Sequence, residues 1–431
     1  MEVFSIAVLL FSFLLLLSLG TPVAWSIIIS SLFTLLVSVP FLPALTTISQ
    51  RMATGIDSFA LLAIPFFILS GELMNKGGVA HRLVAFAKAL VGFLPGGLAL
   101  INVISAMLMG SVAGSAMASA SAMGSILGPE MEKEGYSKGF GVAINITSAT
   151  TGLVIPPSNI LIVYSLASGG ASIAALFLAG YIPGILTGLF LMAVAMIWAK
   201  KKNFKTGKRA PLKTVFSCFV RAFPSLMLLF VVIGGIVSGV FTATEASAIA
   251  VIYTLVLGFV YKEITFKTLP TILLKSSTTT AIVMFLIGAS MSMSWVLSYE
   301  NIPEMISSGI LSLSDNKIVI LLLINFTLLF VGIFMDMTPA VLIFTPIFLP
   351  IVTQLGIDPV HFGIIMILNL CIGLCTPPVG SVLFVGVGVA NTSIQKVIKP
   401  LIPLFLAMIV ALLLVTYIPA LSLWLPSIFD L

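Results

Sequence analysis

Two segments of this chain carry the same helix-breaking signature. Thr151-Gly152-Leu153-Val154-Ile155-Pro156-Pro157-Ser158 matches Ile372-Gly373-Leu374-Cys375-Thr376-Pro377-Pro378-Val379, and the two glycines stand 221 positions apart (373 − 152). Proline removes a backbone donor and its ring clashes with the preceding turn. A Gly-x-x-x-Pro-Pro inside an apolar helix therefore unwinds it. The carbonyls freed there, with nearby hydroxyls, are oxygen ligands suited to a hard cation such as sodium. The half-helix that resumes beyond the break offers donors and a positive dipole end to an anion. One such motif is most simply a kinked packing helix. Two at matching positions point to a paired binding site.

The offset of 221 recurs upstream. Pro129 matches Pro350 and Gly135 matches Gly356. It also sets Gly110–Ser119 against Val331–Ala340, so that Ser115 is the counterpart of Asp336. Asp336 is the only acid between Ile318 and Leu355. Three roles are open to it: binding a cation, meeting a substrate hydroxyl, or capping a helix that starts at Thr338-Pro339. Ser111, Ser115, Ser119 and Ser121 crowd the first segment among Gly and Ala. Close helix approach explains most of them, and only Ser115 is read as functional. Asn145, Thr147, Ser148 and Thr151 precede the first break; Asn369 and Thr376 belong to the second.

These residues need elements to hold them, and the composition says what kind. The chain has 431 residues, 60% hydrophobic and 8% charged, with mean hydropathy +1.25. Soluble domains carry roughly 25% charged residues, so the solvent here is a lipid bilayer, and a carboxylate at its centre costs about 2.5–3.5 kcal/mol on insertion scales. A crossing takes about 20 apolar residues. The apolar run Met1–Gly20 has Glu2 as its only charge and no basic region, so it reads as a retained helix rather than a signal peptide. The net charge of +6 concentrates in Lys200–Lys213, which marks a cytoplasmic loop rather than a nucleic-acid surface. Cys218, Cys371 and Cys375 form no metal-type cluster, and there is no HExxH, GxSxG or P-loop. This is not an enzyme, and no nucleotide is expected.

Counting outward from the loop gives an all-α polytopic membrane protein. The first half has crossings at Val3–Gly20, Pro22–Val39, Phe59–Leu73, Phe140–Ser165 and Ala171–Trp198. His81–Lys88 forms an interfacial helix and Gly96–Gly128 a re-entrant hairpin. The second half has crossings at Pro224–Val240, Ala246–Tyr261, Thr271–Leu297, Phe362–Val389 and Pro400–Tyr417. Ile302–Leu313 is interfacial there and Lys317–Ile351 is the hairpin. Each half thus has five crossings plus a hairpin, and an odd number inverts the second copy. Both termini then fall outside. The organisation is scaffold over 1–95, a first transport core over 96–168 with an inward-opening hairpin and a broken helix, and a central scaffold over 169–316 with loop 199–213. A second core over 317–392 opens outward, and 393–431 is a C-terminal helix. Thr242-Ala-Thr-Glu245 has capping-box spacing, and Glu72 and Lys275 read as helix-end residues reaching the interface.

In this order the motifs resemble the large membrane subunit of tripartite ATP-independent periplasmic (TRAP) transporters. The carriers are Ile64-Pro65-Phe66-Phe67 with Gly71-Glu72-Leu73-Met74, Gly96-Gly97-Leu98-Ala99 with Asn102-Val103, and Gly110 to Gly124. They continue through Ile155-Pro156-Pro157-Ser158, Thr244-Glu245-Ala246, Met335-Asp336-x-Thr338-Pro339, His361-Phe362-Gly363 and Asn369-x-x-Ile372-Gly373-x-x-Thr376-Pro377-Pro378-x-Gly380. The resemblance spans nearly the whole chain. It implies an elevator-type carrier of the ion-transporter superfamily, taking up an organic acid on a sodium gradient across a Gram-negative inner membrane. It implies two partners, a soluble periplasmic substrate-binding protein and a small four-helix membrane subunit, here expected as a separate chain. Carried over by position, one sodium site draws on Ser115, Gly152, Ile155 and Pro157, and the other on Asp336, Gly373, Thr376 and Pro378. At least two sodium ions are expected. The substrate set is Ser115, Ser158, Asp336, Thr338 and Asn369, with sialic acid the leading single substrate and C4-dicarboxylate-like anions the wider class. Ala118-Ser119-Ala120 departs from the family pattern, which often carries an Asp there. A stand-alone sodium–dicarboxylate symporter, a non-transporting assembly subunit and a channel are the competing readings.

Overall fold

The computed structural model describes residues 2–202, 204, 209–313 and 316–431. Lys205 and Lys208 of the basic loop lie outside the described residues. Among those residues the chain is helical, with no strand. The opening scaffold is α1 (Glu2–Ser18), α2 (Val23–Leu35), α3 (Phe41–Gly55) and α4 (Ala63–Lys76), the last entered through a 3-10 turn at Phe59–Leu62. Next come α5 (Val79–Val91), α6 (Gly97–Ala113), α7 (Ala116–Lys133), α8 (Lys138–Thr151), α9 (Asn159–Ala167) and α10 (Ile173–Lys201). The second half runs α11 (Leu212–Val237), α12 (Ala243–Val260), α13 (Leu269–Tyr299), α14 (Ile302–Leu313), α15 (Lys317–Phe334) and α16 (Met337–Gln354). It closes with α17 (Pro359–Gly373), α18 (Ser381–Val389), α19 (Ile394–Tyr417) and α20 (Ala420–Ile428).

Eight of these segments are long and apolar enough to cross a membrane: Phe59–Lys76, α10, α11, α12, α13, α15, α16 and α19. Their outer faces carry large apolar side chains that a soluble protein would bury. Phe216 and Phe230 on α11 and Phe326 on α15 are 68%, 70% and 71% exposed, which suits lipid rather than water. The helices α1 and α2 are shorter than the crossings read from the sequence. At 1.5 Å per residue they reach about 26 and 20 Å, less than the roughly 30 Å hydrocarbon core.

Two helices were not anticipated. The first, α3, carries Thr46, Thr47, Ser49, Gln50 and Arg51, too polar for a crossing. It folds because Ala44 and Ile48 bury one face beside Leu35 of α2 and Val296 of α13. The Arg51 guanidinium lies 4.9 Å from the Trp295 ring centre, on the same α13 surface. The second is α20, whose Ser422 accepts a place beside the buried His361 of α17, with 2.6 Å between hydroxyl and Nδ1.

Elements recur at the offset seen in the sequence. Helices α7 and α16 start at residues 116 and 337, α8 and α17 at 138 and 359, α10 and α19 at 173 and 394. Ser137 and Asp358 both cap their helices. Ser137 Oγ accepts from the Phe140 amide at 3.3 Å, and Asp358 Oδ1 accepts from the Val360 amide at 2.7 Å. Gly135 and Gly356 share a left-handed backbone, φ 88° and 69°. One cross-contact joins matched positions directly: Cys371 Sγ donates to the Thr150 carbonyl at 3.0 Å. The capping box at Thr242 is formed in full. Thr242 N donates to Glu245 Oε2 at 2.8 Å, and Glu245 N donates to Thr242 Oγ1 at 3.2 Å.

Candidate binding site at the hairpin tips

The tips of two helical hairpins define the site. In the first, α6 ends at Ala113, Gly114 turns the chain at φ 60°, and Ser115 caps α7. Gly114 needs both its conformation and its missing side chain, because a Cβ there would lie 2.7 Å from Asn159 Nδ2. Ser115 Oγ accepts from the Ala118 amide at 3.2 Å, so it satisfies one of the four orphan donors at the helix start. In the second hairpin Met335 is the turn and Asp336 holds the N-cap position of α16 in extended backbone. Its side chain closes no capping bond to its own helix. The Met337 amide and the Ser381 hydroxyl are its nearest electrostatic partners, although Ser381 Oγ reaches no neighbour with hydrogen-bond geometry. Of the three roles open to Asp336, capping is thus the one its side chain does not perform.

Each tip faces a broken helix. Between α8 and α9 the chain unwinds over residues 152–158, and between α17 and α18 over 374–380. Both Pro-Pro bonds, Pro156-Pro157 and Pro377-Pro378, are cis. Glycine lets hairpin and broken helix touch backbone to backbone. A Cβ on Gly110 would lie 3.0 Å from the Gly152 Cα, and one on Gly332 would lie 3.2 Å from the Gly373 Cα. Gly332 is one position beyond the 221 offset from Gly110, so the second contact is shifted in register. The breaks also differ. Among the described residues no hydrogen bond ends on the carbonyls from Gly152 to Pro157. The second break is braced by Gly380 N donating to Thr376 O at 3.1 Å and Val382 N to Leu374 O at 3.3 Å. Residues 152–158 are buried, whereas Pro378 and Val379 are exposed.

A cavity of about 460 Å³ lies between the tips and the scaffold. Of the residues expected to bind, Ser115, Asp336 and Thr338 line it together, although they come from two halves of the chain. Leu153 and Leu374 represent the two breaks in its wall. Gly152, Ile155, Pro157, Gly373, Thr376 and Pro378 are not lining residues; they sit in or beside the breaks behind those leucines. Thr376 Oγ1 donates to the Ile372 carbonyl at 2.8 Å and keeps its lone pairs. Ser158 is buried and its hydroxyl has no hydrogen-bond partner. Asn369 lies away from the cavity. Its Nδ2 donates to Asn325 Oδ1 at 2.6 Å and to the Ile365 carbonyl at 3.0 Å.

Several lining residues were not read from the sequence. Asn159 and Ser381 open the half-helices after the breaks, and resuming the helix beyond each Pro-Pro would have marked both. Glu72, Asn75, Lys275 and Thr279 also face the cavity. Glu72 and Lys275, each near the end of its helix as expected, are brought together by the fold. They pair, with Lys275 Nζ 2.8 Å from Glu72 Oε1. Being 203 residues apart, they gave no local signal.

The chain is a many-pass helical bundle with a hairpin tip against each of two broken helices, and two solved transporters share its overall fold. The crystal structure of the YdaH transporter of Alcanivorax borkumensis superposes with a TM-score of 0.65, at 14% identity, over 91% of this chain and 90% of that one. MtrF of Neisseria gonorrhoeae gives 0.56, at 12% identity, over 87% and 84%. Sequence places the chain more narrowly. Residues 10–421 match the family described as tripartite ATP-independent periplasmic transporter, DctM component, and the chain belongs to it. YgiK of Salmonella typhimurium is 56% identical over 99% of this chain and 98% of its own length. The C4-dicarboxylate TRAP transporter large permease protein DctM of Pseudomonas aeruginosa is 41% identical, over 86% of this chain and 87% of its own. The sialic acid large permease protein SiaM of Vibrio cholerae is 38% identical over 97% and 98%. The chain is a transporter permease subunit and not an enzyme.

Proposed function

We propose that this protein is the sodium-coupled carrier for a small organic acid, moving it across a bacterial inner membrane by an elevator motion. The observation that carries the reading is the convergence of Ser115, Asp336 and Thr338 on one cavity beside two unwound helices. The oxygen set fits sodium: a carboxylate, hydroxyls and carbonyls released from helix hydrogen bonding. Ser115 with Gly152, Ile155 and Pro157 would hold one ion, and Asp336 with Gly373, Thr376 and Pro378 the other. A bound cation supplies positive charge next to the anion. Ser158 and Thr338 are the neutral groups assigned to the substrate, with Ser115 and Asp336 shared between ion and substrate. Asn369, tied to Asn325, acts at most through the second broken helix.

The offset of 221 supports two inverted copies of five crossings and a hairpin. The contact between Thr150 and Cys371 supports it too, because matched residues touch each other at a two-fold axis. The two cores, 96–168 and 317–392, would move as one body against α1–α5 and α10–α14. The basic loop after α10 favours that end in the cytoplasm, and both termini then lie outside. The family's description as tripartite and periplasmic supports a binding protein as the substrate's source and a small membrane subunit as the third component. A relative named the isethionate TRAP transporter permease protein DctMQ, from Oleidesulfovibrio alaskensis, is 41% identical, and this chain spans 65% of it. Named relatives take isethionate, C4-dicarboxylates, sialic acid and 2,3-diketo-L-gulonate. All are anions with an acid group ionised at neutral pH, which sets the class proposed here; sialic acid is the first compound to test.

The test is reconstitution. The chain, its small subunit and the binding protein are placed in liposomes under an inward sodium gradient and offered labelled acids. Accumulation that requires both sodium and the binding protein is the expected result. Accumulation without the binding protein would identify a stand-alone symporter instead, and no accumulation of any acid would remove the transport reading.

A further inference from the structure

The cavity has two unlike walls. One is made of hairpin tips and helix breaks. The other is a polar stripe on the scaffold: Glu72 and Asn75 on α4, Lys275 and Thr279 on α13. Spacings of three and four residues put each pair on one helical face. Lys275 Nζ contacts both carboxylate oxygens of Glu72, at 2.8 and 2.9 Å. Among the residues lining the cavity Lys275 is the only cation, while Glu72 and Asp336 are the only acids.

The bland explanation is a strut between α4 and α13. Two observations weigh against it. The Lys275 side chain is 54% exposed and that of Glu72 13%, so the ammonium is open to the cavity and accessible to another partner while the carboxylate is mostly buried. Ionisable side chains on membrane helices are costly and are retained mostly on ion or substrate routes. An organic anion entering this space also meets two carboxylates. Beyond any bound sodium, it gains a positive side chain in the cavity lining only by taking Lys275 from Glu72.

We propose that Lys275 is an anion-binding residue on the scaffold wall, and that Glu72 is the internal carboxylate it holds between substrate molecules. The arriving acid group displaces Glu72 from Lys275, and Glu72 recaptures Lys275 as the acid leaves. Asn75 and Thr279 flank the exchange as neutral hydrogen-bonding groups. This inference rests on the transport reading above and adds to it a residue on the scaffold rather than on the tips.

The experiment uses the reconstituted complex with labelled succinate, N-acetylneuraminate, 2,3-diketo-L-gulonate and isethionate. For whichever acid the wild type accumulates, Lys275→Gln raises KM about tenfold, the usual scale of one charged hydrogen bond, with the sodium dependence unchanged. Lys275→Arg keeps most uptake. Glu72→Gln moves KM the other way, because the competing carboxylate is gone. The charge swap Glu72→Lys with Lys275→Glu does not restore uptake. A strut predicts the opposite pattern: both single variants lose thermal stability, and the swap restores it together with uptake. That outcome, or a Lys275→Gln protein with wild-type KM, overturns the inference alone. A wild-type complex that accumulates none of the four acids overturns it together with the transport reading.

Discussion

The two hairpin tips use the same backbone plan and spend their polar groups differently. At the first tip Ser115 hands its oxygen to the Ala118 amide, so the hydroxyl stabilises the helix it starts. At the second, Asp336 occupies the matching cap position, closes no capping bond with its carboxylate, and lines the cavity. The breaks behind them divide in the opposite sense. The first is buried and leaves its carbonyls without hydrogen bonds, and the second is braced by backbone bonds and more open. The first half therefore offers mainly free backbone carbonyls, and the second adds a side-chain carboxylate to the carbonyls its bracing leaves free. Two tips built on the same backbone plan thus present chemically distinct groups, and the carboxylate belongs to one of them.

That contrast can be broken most severely where backbones touch. Gly152→Val places a branched side chain against Gly110 and the Met107 carbonyl, 2.9 Å from where a Cβ would sit. Overpacking of this kind costs about 1–3 kcal/mol or more, and uptake should disappear with a lower unfolding temperature in detergent. Gly373→Val should do the same at the other break; a stable, active variant at either position would show that the close contact is not required.

Asp336 and Ser115 separate function from stability. On the proposed mechanism Asp336→Asn lowers sodium-driven uptake by about one to two orders of magnitude, the range for losing a charged hydrogen bond. The unfolding temperature should stay close to wild type, since the carboxylate caps nothing. Ser115→Ala removes a working cap worth about 1 kcal/mol, so it should lower stability measurably and reduce uptake less than Asp336→Asn. If the two variants exchange these phenotypes, the division of labour drawn here is wrong.

The smallest effect is expected far from the cavity. Thr242→Ala deletes half of a formed capping box and should cost about 0.5–2 kcal/mol, visible as a reduced unfolding temperature. Half-saturation by sodium should not move, because α12 contributes nothing to the cavity wall. A changed sodium dependence would connect this helix start to the transport cycle.

Much of the site was legible in order and spacing. The two Pro-Pro breaks and the capping box at Thr242 follow from rules that act within a few residues, and the correspondence of Ser115 to Asp336 follows from the offset of 221. The helix α3 was missed because it is too polar to stand out, and α20 because it is an apolar stretch of only 9 residues. Both are held by partners remote in sequence, α13 for the first and His361 of α17 for the second. Asn369 read as a lining residue because it precedes the second break by one helical turn. Its side chain instead turns to Asn325, since a buried amide takes the partner that satisfies it. The ion pair of Glu72 with Lys275 had no sequence signal, as each residue alone resembles any charged group near a helix end.

The sequence by itself determined that this protein lives in lipid, where its helices break, and that elements recur at an offset of 221. Those properties come from side-chain apolarity and from the backbone chemistry of proline and glycine, which need no distant partner. Only the tertiary structure decided which oxygens are free and which charges meet. Ser115 and Asp336 differ in availability because one closes a capping bond to its own helix and the other does not. Lys275 finds Glu72 because α4 and α13 pack side by side, and packing between remote segments is what a linear sequence does not state.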